Sequence, residues 1–229
     1  MILSHKYRFI FIKTRKTAGT SVEISLSRFC GPDDVITPIS VKDELIRRKM
    51  GVGPRNYDGL LPDWKALRHG RLARGFRYWN HMRASQIRRR VGRRIWNSYF
   101  KFCFERNPWD KTVSLFHHER KHKKAHRWED NIESFLQHRE HRLPSDFRRY
   151  TIGGLVAVDR IGRYEQLEHD LTHICQQVGI EFDGWLPRAK GNFRTDRRHY
   201  TDVLNARQRD IVSKRFAQEI QLLGYSFST

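Results

Sequence analysis

The amino-acid sequence predicts an α/β fold with a central parallel β-sheet flanked by helices. Three observations carry that prediction. Aromatic and β-branched runs at 7–13, 99–104 and 155–164 read as strands. A turn and a helical periodicity follow each of them, the order that brings strands into parallel pairing through crossover helices. The chain has 229 residues, enough to bury a full core without disulfides, and no repeat or low-complexity linker divides it, so 1–229 is read as a single domain.

The elements follow in order. YRFIFIK (7–13) alternates in polarity and leads through KTAGTS into VEISLSRF, a helix running to about Phe29. VKDELIRRKM reads as a short helix, and GVGPRNYDG as a loop. Ile87, Val91, Ile95 and Tyr99 recur every four residues, the mark of an amphipathic helix with an arginine outer face. Gly92 weakens that helix by about 1 kcal/mol. After the YFKFCF strand, ERNP breaks the chain, and a long helix begins with Pro108 in its first turn. Residues 129–139 read as another helix. LVAVDRIGRY (155–164) reads as a third strand with a glycine turn. EQLEHDLTHICQQVG is a helix closed by Gly179, and NARQRDIVSKRFAQEIQLLG is one last helix closed by Gly224.

Composition narrows the function classes. Fourteen Phe, eight Tyr and six Trp are too many large apolar side chains for a disordered chain. Forty-five Lys plus Arg against 25 Asp plus Glu give +20, which favours anionic partners: nucleic acid, acidic polysaccharide, a phosphorylated co-substrate or an anionic membrane. Trp64 to Phe104 contains no acidic residue. Cys30, Cys103 and Cys175 have no zinc spacing and read as reduced thiols. No run is long and apolar enough to span a membrane or act as a secretory signal, so the expected location is cytoplasmic.

Two segments carry chemistry. In the first, Lys16, Thr17, Ala18, Gly19, Thr20 and Ser21 join a strand to a helix. Small residues let backbone approach a ligand, and the helix start offers unpaired N–H groups. That is a phosphate cradle, although the nucleotide motif GxxxxGK[ST] is not matched. The alternative is a plain turn with a Ser or Thr cap. In the second, FCFERNPWDKTVSLF, Arg106 stands at the carboxyl end of a strand and Ser114 two turns into the next helix. Ligands of open parallel sheets bind at those strand ends, which suits a second phosphate. The alternative is a structural ion pair for Arg106 and a surface position for Ser114.

Together the two segments resemble the sulfotransferases that use 3′-phosphoadenosine 5′-phosphosulfate (PAPS). FIKTRKTAGTS is similar to that family's 5′-phosphosulfate loop, and Arg106 with Ser114 to its 3′-phosphate segment. VDRIGRYEQLEHDLTHICQQVGI resembles its later strand–GRYE–helix element, and FAQEIQLLGYSF its usual ending. The likeness covers most of the chain except 31–75 and 120–150, and lies nearer the carbohydrate-type branch. Two positions depart from it: Arg15 stands where a proline is usual, and Glu105 where a small apolar residue is usual.

The resemblance implies a P-loop-like sulfotransferase fold and in-line sulfuryl transfer from PAPS to a hydroxyl or amine of an acceptor, a carbohydrate or glycolipid. Lys16 would neutralise the leaving phosphate, residues 17–21 would hold the 5′-phosphate, and Arg106 and Ser114 the 3′-phosphate. No metal would be required. His81 is the candidate base, with Glu23 and Asp110 as fallback carboxylates. Arg163 and Tyr164 would help close the nucleotide site, and Lys190, Gly191 and Arg194 would clamp the 3′-phosphate. His118, His122 and His126, spaced by four beside His117, are the one metal-like pattern, read in preference as a solvated basic helix. The competing functions are a nucleic-acid-binding protein using RRRVGRR (88–94) and RKHKKAHR (120–127), and a kinase with a degenerate P-loop.

Overall fold

The computed structural model describes residues 1–61, 73–121, 131–139, 143–187, 189, 196 and 198–228. Its main sheet has five strands in the order β3-β1-β2-β6-β9, where β1 is Ile2–Ser4, β2 Phe9–Phe11, β3 Val35–Ile36, β6 Phe100–Glu105 and β9 Arg160–Arg163. β2, β6 and β9 pair in parallel, but β1 is antiparallel to both β2 and β3. The wholly parallel sheet expected from sequence is therefore corrected to a mixed one. The cause is connection length: only four residues join β1 to β2, which permits a hairpin and no crossover. Asp34 pins that hairpin, accepting from the amides of His5 and Lys6 and from the Ser4 hydroxyl.

The two faces of β2 supply two cores. Phe9 and Phe11 pack with Phe102 and Phe104, with Val22 and Leu26 of α1 (Gly19–Ser27), and with Leu171 and Ile174 of α7 (Leu167–Gln177). Ile10 and Ile12 face the other way, onto Cys103, Tyr78, Met82, Ile87 and Tyr150. Period-two alternation thus places a helical layer against each side of the sheet. A third cluster joins α4 (Pro108–Lys121) to α5 (Ile132–Arg139), α8 (Tyr200–Val203) and α9 (Ala206–Arg215) through Trp109, Val113, Phe116, Phe135 and Val212.

Three expected elements take different forms. The 155–164 strand divides: Leu155–Val156 (β8) pairs with Thr151–Ile152 (β7) across Gly153 and Gly154, both at positive φ, and β9 begins only at Arg160. Gly162 lies inside β9 and makes no turn. A Cβ there would come within 2.4 Å of the Phe104 ring, so its absence lets two parallel strands close over that ring. The amphipathic helix α3 (Ala84–Ser98) is interrupted at Gly92, whose φ of 79° and ψ of 166° are not helical. The last helix is two, α9 and α10 (Ala217–Leu223), meeting at Phe216. The short helix α2 spans Val41–Arg48 and is capped by Ser40, and α6 spans Phe147–Tyr150. An antiparallel pair, β4 (Asp58–Leu61) and β5 (Ala73–Phe76), completes the elements.

Candidate functional site

β2 ends in a segment whose backbone is bent at two non-glycine positions. Lys16 has φ 63° and Ala18 φ 54°, both left-handed. Such residues persist only where the surroundings hold them, and successive amides around them form an anion-binding concavity. Several contacts do the holding. The Thr14 hydroxyl donates to the Phe104 carbonyl and meets the Thr17 hydroxyl at 2.9 Å. The Lys16 carbonyl accepts from Arg106 Nη1 at 3.1 Å. Gly19 then starts α1 against Lys13: a Cβ there would stand 2.9 Å from Lys13 Cγ. The N-cap is Ala18, with no side-chain cap bond, so the first amides of α1 are not satisfied by a Ser or Thr cap. The plain capped-turn alternative does not describe this loop.

Arg106 occupies the end of the neighbouring strand. Its Nε and Nη2 lie 2.8 and 2.7 Å from Asp110 Oδ2, and its guanidinium covers the Tyr164 ring at 4.0 Å. Asp110 is thus this arginine's ion partner. Glu165 carries the same wall onward by accepting from the Asn107 amide at 2.7 Å.

These parts face one cavity of about 1170 Å³. Lys16, Ala18, Gly19, Thr20, Ser21, His81, Arg106, Ser114 and Tyr164 all line it. Thr17 does not; it is buried beneath the loop as a brace. Arg163 does not either. Its Nη2 donates to the Leu223 carbonyl and its guanidinium lies over Tyr225, so its role is to fasten α10. Lys190, Gly191 and Arg194 lie outside the described residues, as do His122 and His126. Among the described residues no group of three His, Cys, Asp or Glu is placed to hold a metal ion.

His81 also has left-handed backbone, φ 61°, and its Nδ1 lies 3.0 Å from the Lys13 carbonyl. A carbonyl only accepts, so Nδ1 carries the proton and Nε2 keeps its lone pair. Burial, reinforced by the Lys13 charge, lowers the imidazole pKa to about 4. Glu23, the fallback base, is fully buried behind it. Burial opposes its charge, but Lys13 at 2.6 Å, the Met1 amine at 2.8 Å and Arg47 at 3.5 Å hold its pKa at about 2. It is a counter-ion, spent on its neighbours.

The two unusual positions of the sequence are joined underground. Glu105 pairs with Lys111 Nζ at 2.8 Å, Lys111 pairs with Asp146 at 2.8 Å, and Asp146 pairs with Arg15 Nε at 2.9 Å. All of these but Arg15 are buried. Asp146, Lys13, Ser40, Asn80 and His118 have no place in the sequence-based site, yet the last four line the cavity and Asp146 anchors the loop. The i, i+4 histidine spacing marked His118, but as a metal pattern.

The class of the protein, a transferase of the sulfuryl-transfer kind, comes from its family. The model of the sulfotransferase family matches residues 1–226, and the chain belongs to that family. It is also 34% identical over 102 residues to an uncharacterized protein of Archaeoglobus fulgidus, a match covering 43% of this chain and 83% of that one. No solved structure matches it. Among the described residues no helix is long and apolar enough to cross a membrane.

Proposed function

We propose that the protein transfers a sulfuryl group from PAPS to a hydroxyl or amine of an acceptor, a carbohydrate or glycolipid. The observation that carries this is the single cavity shared by the Lys16–Ser21 loop, Arg106, Ser114, Tyr164 and His81. The residues fit the donor. The uncapped amides at the start of α1 and the Thr20 and Ser21 hydroxyls suit one phosphate, and Arg106 with Ser114 suits a second. Tyr164, already stacked on Arg106, offers an aromatic face beside it.

The donor supplies a sulfur bonded to a phosphate leaving group. As the acceptor oxygen forms its bond to sulfur, the bond from sulfur to the bridging oxygen breaks, and that electron pair leaves on the phosphate. Lys16 neutralises the charge arriving there, and the loop amides hold it without reorganising. His81 Nε2 takes the acceptor proton, which its neutral state permits. Lys13 is held by Glu23 in the wall behind.

Calorimetric titration with 3′-phosphoadenosine 5′-phosphate (PAP), with ATP as control, tests the reading. Micromolar binding that ATP does not match is the expected result. No binding, or equal binding of both, overturns it. Lys16→Ala is expected to abolish transfer while leaving the thermal melt in place, and full activity in that variant would remove Lys16 from the chemistry.

A further inference from the structure

The short helix α2 turns its charges inward and its apolar side chains outward. Asp43, Glu44 and Arg47 are buried, with Arg47 paired to Glu44 at 3.2 Å and reaching Glu23 at 3.5 Å. At about 3.6 residues per turn those three fill one side of the helix. The other side shows Val41, 80% exposed, and Leu45, 55% exposed, one turn apart along its middle. Arg48 borders them on one flank, Lys42 and the C-cap Lys49 on the other, and all three cations are exposed. Met50 follows, also exposed. Between Thr37 and Tyr57 the only acidic residues are Asp43 and Glu44, so the outward face carries no negative charge.

The place of this face matters as much as its composition. Ile39 and Ser40 line the cavity, and Ser40 is the N-cap of α2, its side chain accepting from the Asp43 amide. The helix therefore starts at the cavity rim. An apolar stripe between cationic flanks suits the boundary between water and lipid: the apolar side chains enter the acyl edge while the cations meet headgroup phosphates. A soluble polyanion such as nucleic acid would use the cations and leave Val41 and Leu45 in water.

We propose that the outward face of α2 is a docking surface for an anionic phospholipid bilayer, which sets the cavity mouth beside the lipid headgroups. The proposal goes beyond the transfer reading and does not depend on it. A helix this short with few apolar side chains gives reversible attachment, assisted by the chain's net charge of +20.

The test is cosedimentation of the full chain with lipid vesicles at moderate salt. Vesicles of mixed phosphatidylcholine and phosphatidylglycerol should carry it down, and phosphatidylcholine alone should not. Val41→Ser with Leu45→Ser alters only exposed positions and should weaken binding to the mixed vesicles about tenfold or more. Lys42→Gln with Arg48→Gln should weaken it more than Arg89→Gln with Arg93→Gln, which removes the same charge from the exposed side of α3. Absence of binding to the mixed vesicles overturns the proposal. A smaller loss in the serine pair overturns it too, because attraction by the whole basic surface then suffices. Equal losses in the two glutamine pairs place the contact elsewhere and overturn it. A native chain that sediments as a dimer without lipid, and as a monomer with the serine pair, assigns the face to a second copy and overturns it as well. No nucleotide or acceptor enters this experiment, so its failure and the failure of PAP to bind are separate results.

Discussion

Glu23 and Glu105 lie on either side of the Lys16 loop, one in α1 and one at the end of β6, and both are 1% exposed or less. Their pKa values move in opposite directions. Glu23 is held at about 2, and Glu105 is raised to about 8. Burial pushes both upward, so burial does not explain the difference. Glu23 has the cations Lys13 and Arg47 within 3.5 Å, and two further donors, the Thr37 hydroxyl at 2.9 Å and the Met1 amine at 2.8 Å, whose own pKa burial lowers to about 5. Glu105 has Lys111, which it must share with Asp146. Two carboxylates on one ammonium ionise unequally, and the one with more cations wins. Asp146, with Arg15 and Arg149 as well, keeps its charge, and its pKa is lowered.

The largest effect is expected at Glu23. Glu23→Gln takes from buried Lys13 the carboxylate at 2.6 Å and leaves Arg47 with Glu44 at 3.2 Å, and should cost about 3–5 kcal/mol in urea unfolding. A loss under about 1 kcal/mol would mean that the cations reach water, and the contrast with Glu105 would fail. In the native protein this contribution is complete above the usual glutamate value of 4.5 and lost as pH falls through about 2. Asp146→Asn should cost less, about 2 kcal/mol, because Glu105 then ionises and takes over Lys111. A cost equal to that of Glu23→Gln would show that Glu105 was already charged.

Glu105→Gln sharpens the comparison most directly, although its effect at neutral pH is expected to stay within about 1 kcal/mol. Its signature is the pH dependence. A carboxyl raised from 4.5 to about 8 stabilises the fold fully below 4.5, and that contribution is lost as pH rises through 8. Unfolding midpoints measured from pH 5 to 9 should therefore fall in the native protein and fall less in the variant. Smallest is the effect on the transfer rate: its acid limb should lie near pH 4, where His81 gains its proton, and not near the usual 6.5. A limb at 6.5 would assign the proton to a solvated group.

Much of this was legible in the sequence because it is local. The 7–13 strand, the KTAGTS turn and the α1 helix are contiguous, and Arg106 and Ser114 stand on one strand–helix junction, so periodicity and turn chemistry suffice to place them. The hairpin from Ile2 was missed because a three-residue strand, Ile2–Ser4, is too short to show a period. Gly92 and Phe216 read as helical because a single interruption leaves the flanking pattern intact. Arg163 was assigned to the site from its neighbours in GRYE, but strand alternation does not say which side chain turns to the ligand. The Asp146 anchor lies 131 residues from Arg15 and adjoins a stretch with no motif of its own. No spacing rule couples such positions; only folding does.

Arg106 enters any encounter already engaged, with two nitrogens on Asp110 and a third on the loop carbonyl. Under the proposed function, an incoming phosphate does not meet a bare cation. It must compete with a carboxylate four residues along the same chain, and on departure that carboxylate is waiting. The exchange is a swap of counter-ions, which lowers both the gain on arrival and the barrier to leaving. On the proposed transfer reading, a cavity emptied after every cycle benefits from an arginine that never has to stand alone.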